Sequence, residues 1–296
     1  MSPGTCRHHS LERSFFATVT LPFGLEGSLS FVSHVFYLEE FIMEIFTQDG
    51  LSFLVRWLHV LAGVTWIGLL YYFNVVQVPA FAAYGDEGKA RNISIDKLAR
   101  RALWWFRWAA VTTLVLGLLI IGVTENYMQD YMSDLSSNDI AHDATIFVGM
   151  IFGITMAANV WMVIWKNQKV VLANAVNVLG GGEADAGAPA AGRRAMLASR
   201  QNMIFSFSML FFMVGPAHFY NGGAFGENVS AGNAWTFVIV AAVLGAILQL
   251  NALGKFGGTA ATNKLLWPYE NHKNAIISAS ALLVVLYVLS EIFLKA

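Results

Sequence analysis

Cysteine is nearly absent, since Cys6 is the one cysteine in 296 residues. That excludes an internal disulfide, a Cys-x-x-Cys zinc pair and the Cys-x-x-Cys-His attachment of a c-type haem. A cofactor therefore has to be held non-covalently or through histidine. Charge is scarce too: 12% of residues are Asp, Glu, Lys or Arg, against about 25% in soluble domains. A net charge of -1 lacks the massed Lys and Arg that a phosphate backbone demands, which argues against a nucleic-acid partner. No Ser-His-Asp grouping, phosphate loop or carboxylate pair within an apolar run is visible, so hydrolytic and nucleotide chemistry find no support.

Apolar residues are abundant. They make up 56% of the chain, and the mean hydropathy is +0.56. Apolar runs cover 51–78, 103–123, 144–165, 203–219, 234–253 and 275–294. A helix rises ~1.5 Å per residue and a hydrocarbon core is ~30 Å thick, so about 20 apolar residues make a span. Lys and Arg are sorted among the connections. The first holds Lys89, Arg91, Lys97, Arg100 and Arg101, the third Lys166, Lys169, Arg193, Arg194 and Arg200, and the fifth Lys255, Lys264 and Lys273. The second and fourth hold acidic residues and no Lys or Arg. Basic loops face the cytoplasm. The expected fold is an all-α, polytopic transmembrane helix bundle of about six spans with both termini outward, in a bacterial-type inner (plasma) membrane, with membrane lipid as its surroundings.

Residues 1–42 read as a leader upstream of a start at Met43, leaving 43–296 as one transmembrane helical domain. The rival reading of the leader is an extra amphipathic helix. The Gly/Ala-rich segment 180–192 reads as a flexible linker, and 79–102 or 254–273 have room for interfacial or re-entrant helices. Gly149 and Gly153 form a Gly-x-x-x-Gly face that lets another backbone approach closely. Trp104, Trp105, Trp108, Tyr127, Tyr131, Trp165 and Trp267 sit at run ends, as interfacial belts do.

Two histidines fall within apolar runs: His59 in the first and His218 at the end of the fourth. An ionisable side chain inside a span is a functional candidate by default. Both are expected in the outer leaflet. His59, Gly63, Trp66, Leu70, Phe73 and Gln77 share one helical face, and a glycine one turn from a histidine leaves room for a flat macrocycle. The expected site is a haem b whose iron is held by His59 and His218, with Gly63 and Trp66 beside it. The alternative is that each histidine hydrogen-bonds between helices. His142 is expected to be solvated in the acidic connection. Asn74, Gln77, Asn159, Gln249 and Asn251 are deep polar groups toward the basic side, able to line a small-molecule site or to bond across helices.

The stretches from Arg56 through Gly68, from Arg101 through Trp108, from Asn159 through Lys169 and from Ala198 to Asn202 running on to His218 carry a family resemblance. The chain resembles the membrane domain of the cytochrome-c-linked urate oxidases, that is, the urate oxidase N-terminal region. The resemblance implies an integral membrane oxidoreductase acting on urate or a related small molecule. That family passes its electrons to a fused cytochrome c domain. With no Cys-x-x-Cys-His here, the expected acceptor is a separate cytochrome c or a quinone. The rival is a non-enzymatic membrane bundle, either a small-molecule transporter or an accessory subunit.

Overall fold

The computed structural model describes residues 45–123, 140–220, 225 and 229–295. The leader reading, 1–42, lies outside them. The chain divides into two units, 1–46 and 47–296. The long elements of the second unit are α1 (Gln48–Ala83), α2 (Gly88–Val123), α3 (Ile140–Leu179), α4 (Ala188–His218), α5 (Ala231–Ala252) and α6 (His272–Leu294), with a 3-10 turn at Lys264–Tyr269. The described residues are all-α apart from one isolated bridge, Phe225 to Lys295.

The starts of these helices are written in the sequence. Thr47, Ser230 and Asn271 each accept a hydrogen bond from a first-turn backbone N–H with their side chains, at Gly50, Asn233 and Asn274, the usual way to satisfy an orphan donor. Continuous apolar composition carries each helix onward. Five of the six, all but α4, are long and apolar enough to cross a membrane. At 36 to 40 residues, α1, α2 and α3 are longer than a bilayer requires. The surplus lies at one end, where α1 ends, α2 begins and α3 hands over to α4. Consequently the first basic connection is helical rather than a loop, with Lys89, Arg91, Lys97, Arg100 and Arg101 on α2.

α4 departs from expectation in an instructive way. It runs 31 residues yet is too polar to count with the other five, carrying buried Arg200, Gln201, Asn202, Ser206 and Ser208. It packs against α1, α3, α5 and α6, so neighbouring helices rather than lipid surround it. Its first turns come from the segment read as a flexible linker. Ala188 and Ala191 are buried there, and Ala is the strongest helix former. The turn before them is fastened by bonds from Asn177 Nδ2 to the Glu183 carbonyl and from the Asp185 N–H to Asn174 Oδ1. Low hydrophobicity therefore did not mean disorder.

The core runs between α3 and α4. A Cβ added at Gly149 would lie 3.1 Å from the backbone carbon and oxygen of Phe212, so this glycine does let another backbone approach. Phe152 of α3 stacks on Phe205 of α4 at 4.6 Å, with Gly245 of α5 closed over the Phe152 ring.

Candidate functional site

Among the described residues three π-turns interrupt the helices, at Tyr72–Gln77 in α1, Ile95–Ala99 in α2 and Asn159–Trp165 in α3. Such bulges occur frequently at functional sites. The first and third each aim an asparagine at α4. Asn74 Nδ2 donates to Ser199 Oγ at 2.9 Å and to the Leu70 carbonyl. Asn159 Nδ2 donates to Asn202 Oδ1 at 2.8 Å and to Gln249 Oε1 at 2.9 Å, and Gln249 Nε2 returns a bond to Asn159 Oδ1 at 2.6 Å. Asn202 completes the set by donating to the Met156 carbonyl. These bonds join α1, α3, α4 and α5 at the level of Ser199 to Asn202.

The belt continues to the connection between α5 and α6. Arg200, 4% exposed, donates from Nη1 to the carbonyls of Tyr269 and Glu270, each at 2.5 Å. Asn251 Nδ2 donates to the Leu265 carbonyl, and the Tyr269 hydroxyl to that of Leu248. Glu270 takes two bonds from Arg193, at 2.5 and 3.0 Å. Those bonds hold its carboxyl below the usual carboxylate range. Arg193 takes the carboxylate while Arg200 reaches only the backbone carbonyl of Glu270, so two guanidinium groups stand near one carboxylate and this end of the belt carries surplus positive charge.

Several belt atoms have nothing to bond. Among the described residues, eight buried side-chain polar atoms lack a hydrogen-bond partner, and five belong here: Gln77 Oε1, Arg200 Nε, Gln201 Oε1 and Nε2, and Asn251 Oδ1. Gln201 is fully buried with both ends of its amide unpaired. Each such group costs about 1 to 3 kcal/mol, and native interiors hold few of them. The Gln201 amide leaves a donor and an acceptor open side by side, which suits a small polar molecule that presents both.

The sequence singled out Asn74, Gln77, Asn159, Gln249 and Asn251; Asn159 and Gln249 bond each other with Asn159 also bonded to Asn202, Asn74 bonds Ser199, and Asn251 bonds the Leu265 carbonyl, in three separate sets. Gln77 sits one turn from Asn74 with its carbonyl oxygen open. Arg200 and Gln201 were missed as site residues. Their signal was present: Ser199, Arg200, Gln201 and Asn202 are consecutive, and four consecutive helical residues point all round the axis, so some must face inward.

The histidine positions resolve differently. His59 turns toward α2, with its Nδ1 2.8 Å from the Thr113 carbonyl. Since a carbonyl only accepts, Nδ1 carries the proton and Nε2 is free. The ring also lies against Gly117, where a Cβ would be 3.1 Å from His59 Cε1. Gly63 faces the Thr113 methyl at 3.9 Å, and Trp66 is buried with its Nε1 unpartnered. His218 is exposed in the last turn of α4, and no hydrogen bond or ring contact joins it to His59 among the described residues. His142, expected to be solvated, instead sits in the first turn of α3 with its Nδ1 3.0 Å from buried Asp143.

Helices of membrane length around a polar, partly unsatisfied interior define the class as a helical bundle of membrane type. Within that class, residues 131–253 match the urate oxidase N-terminal family, which bears out the resemblance read from the residues. The matched stretch contains Asn159, Arg200, Gln201, Asn202, Gln249 and Asn251. No curated protein and no solved structure matches the chain.

Proposed function

We propose that this chain is the membrane-embedded part of an oxidoreductase of the urate oxidase kind, with the amide belt receiving urate or a related small molecule. The observation that carries the reading is the unpaired atoms of Arg200, Gln201 and Asn251, which lie inside the stretch that matches the family. Arg200 and the surplus positive charge favour an anionic substrate. Gln201 offers a donor and an acceptor side by side, as a ring amide requires. Two electrons leave per substrate oxidised, reducing one quinone or two molecules of a separate ferric cytochrome c. The bundle sits in a bacterial-type inner membrane with six spans, α4 being carried through by its neighbours, and its basic ends face the cytoplasm.

A haem b is the cofactor proposed with this reading. In its favour, a bond from Nδ1 to a backbone carbonyl is what metal-bound imidazoles usually make, leaving Nε2 as the ligand. Against it, the face bearing Gly63 is turned to α2 and His218 makes no contact with His59. No electron step is therefore routed through haem here. A reduced-minus-oxidised absorbance spectrum of protein made with haem available tests it: a b-type band lost in His59→Ala supports ligation, and no band removes the cofactor.

One observation favours a second reading, a small-molecule transporter. The belt is built of amides, hydroxyls, two guanidinium groups and a carboxylate, which bind but accept no electrons. Vesicles containing the protein separate the two. Urate-dependent reduction of added cytochrome c or quinone, lowered at least about tenfold in Gln201→Leu by loss of the paired donor and acceptor, supports the oxidoreductase. Urate uptake without acceptor reduction supports the transporter and sinks the enzyme.

A further inference from the structure

Arg107 lies on α2 at the seam with α3, and no carboxylate among the described residues pairs with its charge. Its guanidinium carbon stands 3.9 Å from the centroid of Trp165 and 6.0 Å from that of Trp161. Trp161 fixes the arrangement by donating from Nε1 to the Arg107 carbonyl at 3.1 Å. Arg107 Nε is buried and without a partner, and among the described residues no carboxylate pairs with this side chain. Asp96, earlier on the same helix, is engaged by Lys97 and Arg100. Stacking on aromatic rings contributes about 2 kcal/mol at best, less than a cation in an apolar helix needs.

Exposed indoles continue from the rings that hold this cation. Trp108, with its ring 5.6 Å from that of Trp161, is 44% exposed, and Trp104, 6.4 Å from Trp108, is 47% exposed. Arg107 lies about two turns along α2 from Arg100 and Arg101, and Trp165 adjoins Lys166 on α3. The site therefore sits just inside the basic end of the bundle, at the depth where tryptophans line an interface and lipid phosphates are within reach.

We propose that an anionic phospholipid binds at the α2/α3 seam, its phosphate on the Arg107 guanidinium and its glycerol and first acyl carbons against Trp104 and Trp108. Basic pockets between helices on the cytoplasmic side hold acidic headgroups in this way. The site rests on the bilayer placement given under the proposed function and is independent of the redox chemistry.

Native mass spectrometry of the full chain in detergent, titrated with phosphatidylglycerol or phosphatidylcholine, is the test. Wild type is expected to prefer phosphatidylglycerol, and Arg107→Gln to weaken that lipid about fivefold, the worth of one phosphate-facing cation, with phosphatidylcholine unchanged. Arg107→Lys, which keeps the charge and loses the planar stack, is expected in between and serves if the Gln variant does not fold. Arg101→Gln, an exposed cation of the same helix, should change little. Equal losses in Arg101→Gln and Arg107→Gln, no loss in Arg107→Gln and Arg107→Lys, or full competition by inorganic phosphate would each overturn the site. Co-flotation of wild type with phosphatidylcholine vesicles reports the bilayer placement separately: failure there removes both readings, whereas flotation without the Arg107 effect removes the lipid site alone.

Discussion

Single residues in this bundle act through what their neighbours lose. Asn159 satisfies Asn202 and Gln249 at once, so its replacement leaves a buried and a partly buried amide each short of a partner. Asn159→Ala is expected to destabilise the protein by about 2 kcal/mol. The coupling between Asn159→Ala and Gln249→Ala in a double-mutant cycle should be about 1 kcal/mol. Unfolding of the four proteins in mixed micelles measures both, and additive effects would dissolve the pair. The two glycines of α3 differ sharply although the sequence treats them alike. Gly149 meets backbone at 3.1 Å, whereas Gly153 has only flexible Met213 and Met209 atoms, at 3.7 and 3.9 Å. Gly149→Ala should cost about 1 to 3 kcal/mol by forcing α3 from α4, while Gly153→Ala should be neutral or slightly stabilising. Equal thermal midpoints for the two variants would contradict the backbone contact.

At the scale of elements, irregular turns and connections carry the polar work. The π-turns in α1 and α3 shift the register of their side chains, which is how Asn74 and Asn159 both come to face α4. The α5–α6 connection is held to α4 by the Arg193–Glu270 pair, and this gives it a pH dependence. Because the folded Glu270 carboxyl titrates below its ordinary value, its contribution is complete above about pH 4.3, the unfolded value, and fades as pH falls through the folded one. The pair is partly exposed, with side chains 19% and 30% accessible, so the contribution is about 1 kcal/mol or less. Wild type should therefore lose more thermal stability than Glu270→Gln between pH 5 and about pH 3. Parallel pH curves would show the bridge to be idle.

For the whole molecule, the alternation of basic and acidic connections makes a directional claim that composition alone does not. With the basic ends inward, Ala231→Cys at the start of α5 should react with an impermeant maleimide on intact cells. Asp86→Cys, between α1 and α2, should react only after the membrane is opened. Cys6 is replaced by Ser in both variants. Reversed labelling would invert the bundle, and equal labelling of both would deny that α1 and α5 are separated by the bilayer as proposed.

Composition and charge order decided much of this protein in advance. The helical class, the extents of α5 and α6 to within three residues, the close approach at Gly149 and the likeness of residues 131–253 to the urate oxidase N-terminal family all follow from local patterns, because apolar length, capping side chains and small residues act within a few positions of themselves. Tertiary structure decided the rest. Whether Ser199 to Asn202 meets lipid, water or protein depends on which helices surround α4, and whether His59 points toward α4 or α2 depends on the rotation of α1. Neither the surroundings of a helix nor its rotation is set by its own sequence. They are fixed by how several apolar faces and a few buried amides are satisfied together.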